Sequence, residues 1–288
     1  MTSRLRDHWP EYLIEAAGLG SFMISACVFT ILLMHPASPV ALRITDPLWK
    51  RVVVGIAMGL TAIALIYSPW GKRSGAHFNP SVTIAFFRLG KVAFGDAFFY
   101  IVAQFTGAVA GVLICAALLR PWISDSRVNY AVTAPGPYGV KVALVSEFVI
   151  SFFLMTTVLV FSNHKRLAVF TGVLAGILVA IYVSVEAPLS GMSMNPARTF
   201  GSALPAHMWK DWWIYFSAPP LGMLAAAGTY VRLAGAHNVI CAKLHHGAAE
   251  TCIFKCGYRR TNTEPGNSTK RRPLTQKGRL FRCRRGIL

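Results

Sequence analysis

Ser190-Gly191-Met192-Ser193-Met194-Asn195-Pro196-Ala197-Arg198-Thr199 is the stretch that decides the fold. Proline is favoured at the first helical position, where its missing N–H costs nothing, and asparagine is a strong N-cap. A helix is therefore expected to start at Asn195. The apolar run behind it, Thr199 to Leu204, falls well short of the roughly 20 residues that cross a bilayer. A glycine-bearing approach precedes it and suits extended backbone. One such segment is an ordinary capped helix. This chain holds two. Ser74-Gly75-Ala76-His77-Phe78-Asn79-Pro80-Ser81-Val82-Thr83 lies 116 residues earlier (79 to 195), with its own short apolar run from Val82 to Leu89.

The surroundings of the two segments match as well. Of 288 residues, 54% are hydrophobic and 14% charged, against about a quarter charged in a soluble domain. Six apolar blocks are long enough to span, at about 11–34, 48–67, 95–119, 139–161, 167–186 and 212–234. The first has no clear cleavage site and carries Glu11 and Glu15, so it is expected to be retained as a helix. Each half, about 11–119 and 139–234, thus reads as helix, helix, Asn-Pro segment, helix. Glu15 lies in the first span of one half and Glu147 in the first span of the other. Three spans per half is an odd number, so the second half enters from the opposite side, an inverted-topology repeat. The expected fold is an all-α membrane protein of six transmembrane helices and two re-entrant half-helices meeting near the midplane. Non-helical backbone at that depth survives only where it is buried or lines a water-filled cavity. Two helix N-termini would face one point, each with roughly half a positive charge, a focus that repels cations and orients a neutral dipole.

The residues that carry this pattern resemble the aquaporin family, also called major intrinsic proteins, over roughly 11–234. The most specific parts are Ser74–Thr83 and Gly191–Ala203. The resemblance implies a right-handed bundle with one pore per subunit, assembled as a homotetramer. Its style is bacterial, which would put the chain in an inner (plasma) membrane. By position, Asn79 and Asn195 are implied to donate to passing water from their amides. The carbonyls of Gly75, Ala76 and His77, and of Gly191, Met192 and Ser193, are implied to form an acceptor ladder. Arg198 matches the arginine of the outer selectivity constriction, and Glu15 and Glu147 match the glutamates that hold the two loops. Charged groups at membrane depth are costly, so each should face the interior and find partners.

Three positions depart from that pattern. Ser81 stands where alanine is usual. The constriction position that is histidine in water-selective members falls on Val183, and the aromatic position of the second span falls on Met58 or Gly59. Such a ring is wider and less polar, which admits small neutral solutes such as glycerol, urea, ammonia or hydrogen peroxide. Thr199, Ala203 and the Tyr215-Phe216 pair stand where relatives that conduct glycerol carry an acid, a charged residue, and a proline with an aliphatic. Water therefore ranks first and a broader neutral-solute facilitator second.

Other function classes fare worse. A secondary transporter also uses inverted repeats, yet few acids deep in the spans could couple an ion, Glu15, Glu147 and Glu186 among them, and the first two match the glutamates that hold the loops. No nucleophile–base pair or metal triad suggests an enzyme, and His35, His77 and His164 sit at loop positions. No cofactor is implied. Gly55/Gly59, Gly107/Gly111 and Gly172/Gly176 are spaced for close helix packing in lipid and say nothing of substrate.

The net charge of +18 is concentrated at the C-terminus, where residues 235–288 hold 12 Lys and Arg against Glu250 and Glu264. Basic segments stay cytoplasmic, so both termini are expected inside, with 235–288 as a largely disordered tail drawn to anionic lipid rather than to nucleic acid. Arg4, Arg6, Lys72, Arg73, Lys165 and Arg166 fit that orientation. Arg43, Lys50, Arg51, Arg120 and Arg127 lie in the outer loops, so the tail supplies most of the bias. The tail also holds Cys241, His245, His246, Cys252 and Cys256. If helical, Cys241/His245 and Cys252/Cys256 would each share a face. Both a zinc site and unconnected reduced residues remain open, since the spacings match no standard finger.

Overall fold

The structure, a computed structural model, describes residues 2–246 and 252–257. The polar, basic stretch from 258 onward, expected to be disordered, lies outside the described residues.

The chain forms eleven α-helices among the described residues: α1 (Thr2–Met34), α2 (Pro39–Arg43), α3 (Pro47–Tyr67), α4 (Pro69–Ser74), α5 (Pro80–Arg88), α6 (Phe94–Leu118), α7 (Val140–Ser162), α8 (Thr171–Val185), α9 (Ala187–Ser190), α10 (Pro196–Ala206) and α11 (Trp213–Ala234). Six are spans. Five of these, α1, α3, α6, α7 and α8 (counted with the 3-10 turn Ala168–Phe170), are long and apolar enough to cross a membrane by length and composition. The sixth, α11, is 22 residues long and carries Pro219 and Pro220 inside it.

Local chemistry sets the boundaries. Asp46 caps α3 by accepting from the Leu48 and Trp49 N–H groups at 2.8 and 3.0 Å, with Pro47 at the first position. Asn79 and Asn195 stand in extended backbone and cap α5 and α10, again each followed by proline. These are the two half-helices, at the expected starts. Ahead of them, α4 and α9 are stopped by Gly75 and Gly191, at φ +98° and +79°, a region glycine enters without steric cost.

The two repeats interlock. α1 packs along α6 as α7 packs along α11, while α3 packs along α8 across the repeat boundary. Each half-helix lies against the last span of the other half, α5 on α11 and α10 on α6. Helix crossings are close: a Cβ on Gly59 would stand 2.5 Å from the Gly176 carbonyl oxygen, and one on Gly176 would stand 2.7 Å from that of Gly59. The outward faces of the spans remain apolar, with Leu60, Leu113, Leu118, Val145 and Leu221 exposed, as lipid-facing helices require.

Beyond α11 the chain turns back. Residues 240–246 and 252–257 have no helix, and they pack on the end of the bundle that carries the start of α1 and the end of α11. The Ile240 N–H donates to Asn163 Oδ1, the Leu244 N–H to the Gly75 carbonyl, and the Lys255 N–H to the Lys91 carbonyl. The first part of the tail is therefore folded onto the bundle. The helical faces expected for Cys241/His245 and Cys252/Cys256 do not form.

Candidate functional site

Two buried carboxylates organise the centre. Glu15, on α1, has no exposed surface. Its Oε1 accepts from Ser74 Oγ at 2.8 Å and the His77 N–H at 3.1 Å; its Oε2 accepts from the Phe78 N–H at 2.6 Å and Gln104 Nε2 at 2.8 Å. Glu147, on α7, repeats the arrangement. Oε1 accepts from Ser190 Oγ and the Ser193 N–H, both at 2.7 Å, and Oε2 from the Met194 N–H at 2.7 Å. These are loop N–H groups that no helix could satisfy at that depth. Each loop is strained alike, with Ala76 and Phe78 at φ +56° and +46° and Met192 and Met194 at +50° and +53°. Non-glycine residues hold such conformations at about 1–3 kcal/mol each only when their surroundings over-determine them.

Tyrosines complete both anchors. Tyr100 on α6 donates to the Ser74 carbonyl at 2.7 Å, and Tyr215 on α11 donates to that of Ser190 at 2.5 Å. Tyr215 thus braces the second loop, and Phe216 beside it packs on Phe105 and Trp212. Sequence reasoning missed Tyr100 and Gln104. A lone amide in an apolar helix was the available signal for Gln104, whose counterpart in the second half is Pro219.

The half-helices meet through their asparagines. Asn79 Oδ1 accepts from the Ser81 N–H, and Asn195 Oδ1 from the Ala197 and Arg198 N–H groups. Asn79 Nδ2 donates to the Met194 carbonyl at 2.7 Å, and Asn195 Nδ2 to the Phe78 carbonyl at 2.8 Å. The two bonds cross between the repeats. An amide NH2 has two donors, so each asparagine keeps a second N–H beyond this one.

A cavity of about 380 Å³ runs past both asparagines. Toward the end opposite the termini it is lined by Met58, Val183, Met192 and Arg198, and beyond them by Arg51 and Arg127. Of the two alternatives in the second span, Met58 lines the cavity, whereas Gly59 packs on Gly176. Val54, one turn from Met58, also lines it and was not anticipated. Nη1 of Arg198 is buried without a hydrogen-bond partner in the protein. Ala76, His77, Gly191, Met192 and Ser193 all border the cavity. Gly75 does not: a Cβ there would meet Phe254 and Lys243, and its carbonyl accepts from Leu244.

His77 has structural partners. Its ring lies between Phe86 and Phe254, with centroids 5.3 Å from each. Nδ1 faces Thr83 Oγ1 at 3.1 Å and Nε2 faces the Ala242 carbonyl at 2.8 Å. Asp96, at the start of α6, also went unread in the sequence. It gathers Arg4, His8 and Tyr12 at 2.6–2.8 Å and fixes the start of α1.

The sequence model of the family described as Major intrinsic protein matches residues 14–230. Among curated proteins, the Arabidopsis thaliana protein named Probable aquaporin NIP7-1 is 35% identical over 61% of this chain and 62% of its own length. Putative aquaporin NIP4-1 of the same plant is 35% identical over 61% of this chain and 60% of its own. Aquaporin NIP2-1 of Oryza sativa subsp. japonica is 33% identical over 78% of this chain and 72% of its own. The chain thus spans about three fifths of the first two relatives. All three are plant proteins, and they lend nothing to a bacterial assignment. The solved structure titled as the aquaglyceroporin from Plasmodium falciparum superposes with a TM-score of 0.64, at 19% identity, over 77% of this chain and 94% of that one, a likeness of fold. Members of this family are channels and not enzymes. With its paired Asn-Pro half-helices around one cavity and a family match over most of its length, the chain belongs to the major intrinsic proteins, the aquaporin family, and is an integral membrane protein.

Proposed function

We propose that this chain is a passive water channel that excludes protons and ions. The observation that carries the reading is the pair of asparagine amides at the cavity's middle, each with one N–H committed across the repeat and one left for a solute. A water there donates to neither half-helix end, because both N-termini carry partial positive charge. It accepts from the amides and turns its hydrogens toward the loop carbonyls. Ala76, His77, Gly191, Met192 and Ser193 supply those acceptors, and Arg198 adds a fixed cation at the narrow end. Residues 1–234 are the channel domain, and 235–288 a basic appendage that faces the cytoplasm together with the N-terminus. Four copies assemble as a homotetramer, which accords with the apolar outer faces of the spans.

A second reading has its own support. Met58, Val183 and Met192 make three sides of the constriction apolar, which suits the carbon backbone of glycerol or another small neutral solute. Stopped-flow light scattering on proteoliposomes separates the two, using water and glycerol gradients on wild type and Arg198→Ala. Fast water flux with low activation energy and little glycerol entry supports the water channel. Rapid glycerol entry in wild type makes the chain a general neutral-solute facilitator. Solute accumulation against a gradient would exclude any pore.

A further inference from the structure

Cys241, His246, Cys252 and Cys256 converge at the end of the bundle that bears the termini. Their ligand atoms all lie within 4.8 Å of one another. Cys241 Sγ is 3.5 Å from Cys252 Sγ, and Cys256 Sγ is 3.2 Å from His246 Nε2. A zinc ion with Zn–S bonds of about 2.3 Å has ligand edges of about 3.8 Å, so the four atoms already approximate a coordination shell. The same sulfurs are too far apart for a disulfide, which needs about 2.05 Å. His245, the neighbour, is turned away and meets Tyr67 edge-on at 5.0 Å.

The described residues around these ligands, 240–246 and 252–257, lack helix or strand, and stretches this short need a staple to hold one conformation. Its ends close on each other, with the Gly257 N–H donating to the Ile240 carbonyl at 2.8 Å. Three thiolates and an imidazole around zinc leave a net charge of about −1. Lys243 is buried beside them, its Nζ donating to the Lys72 carbonyl at 2.8 Å.

The segment also sits on the pore. Leu244 lines the cavity and its N–H occupies the Gly75 carbonyl at 3.1 Å. The Ala242 carbonyl lies 2.8 Å from His77 Nε2, and the Phe254 ring stacks on His77 at an interplanar angle of 6°. Every one of these contacts falls on the first re-entrant loop, between two ligands of the cluster in sequence or within two residues of one.

We propose that Cys241, His246, Cys252 and Cys256 bind one zinc ion, and that the ion pins this segment across the terminal-end mouth of the pore and throttles flux. The second half of the statement rests on the pore reading above; the metal does not. Full-length protein purified without chelator and measured by inductively coupled plasma mass spectrometry should hold about one zinc per chain. Cys252→Ser and Cys241→Ser should lose it. A zinc-free wild type that takes up none on titration, or a Cys241–Cys252 disulfide in the mass spectrum, overturns the site. For the throttle, wild type is stripped of zinc before reconstitution, so no folding-compromised variant is needed. Water permeability should rise several-fold over the zinc-loaded sample and return when zinc is restored. Equal permeability with and without bound zinc overturns the throttle. Zinc content is read independently of transport, so failure of the channel reading shows as lipid-background flux in both loaded and stripped samples while the metal count stands.

Discussion

Glu147 accepts three donors, Ser190 Oγ and the Ser193 and Met194 N–H groups, and its removal leaves all three buried and unpaired at about 1–3 kcal/mol each. Glu147→Ala should therefore lower the thermal unfolding temperature in detergent markedly and reduce water flux to the lipid background. An unchanged melting curve would show that the loop does not depend on the carboxylate. The constriction allows a gentler change. Val183→His adds polar atoms and bulk where Met58 and Met192 offer none, so glycerol entry should fall by about tenfold, in line with the discrimination a shaped polar site achieves, while water flux persists. Equal loss of both solutes would mean the residue blocks rather than selects. Much of this residue-scale chemistry was legible. Asn79, Asn195, Arg198, Glu15 and Glu147 stood out because charge or helix-start signals are rare in apolar surroundings. Gln104, Tyr100 and Asp96 did not, because their meaning comes from partners 26 to 92 residues away that no local spacing records.

The long helices follow from apolar runs and caps, and most of their ends fall within a residue or two of the expected ones. α1 is an exception, starting at Thr2 rather than near 11 because the Asp96 cluster draws its first turns onto α6. The helices α2, α4 and α9, four to six residues each, are too short to leave a periodic trace. Glycine spacing correctly marked tight crossings but could not name partners; Gly59 meets Gly176 across the repeat boundary, on α8. At that crossing a larger side chain must displace backbone. Gly176→Leu is expected to destabilise the protein by about 1–3 kcal/mol or more through overpacking, and to separate α3 from α8. Gly228→Ala on α11, where an added Cβ meets nothing within 4 Å, is the matched control and should leave unfolding unchanged or slightly raised. If both substitutions behave alike, the crossing is not held by glycine contact.

For the molecule as a whole, the inverted repeat explains why two loops that differ at Ala76/Met192, His77/Ser193 and Phe78/Met194 make the same backbone bonds. Ser74 and Ser190, Tyr100 and Tyr215, and Glu15 and Glu147 are related pairs, and their hydrogen bonds correspond except for that from Gln104 to Glu15, whose counterpart position holds Pro219. The symmetry is broken where selectivity is set. Arg51, Arg127 and Arg198 line the cavity at one end, and the first re-entrant loop at the other end carries His77 where the second carries Ser193. On the proposed reading, a cation entering past the arginines would meet fixed positive charge and then the N-termini of α5 and α10, and its loss of hydration would be repaid at neither point. A water molecule would lose little, because amide and carbonyl groups would replace its hydrogen bonds. Proteoliposomes loaded with a pH-sensitive dye should therefore acidify no faster than protein-free vesicles under an inward proton gradient, even while water flux is high. Arg198→Ala removes one of the two barriers, so proton entry should rise measurably yet stay far below water flux, the half-helix N-termini remaining in place. Proton entry in wild type that keeps pace with water would mean that the central focus of positive charge is screened, and that the chain conducts ions through the same path.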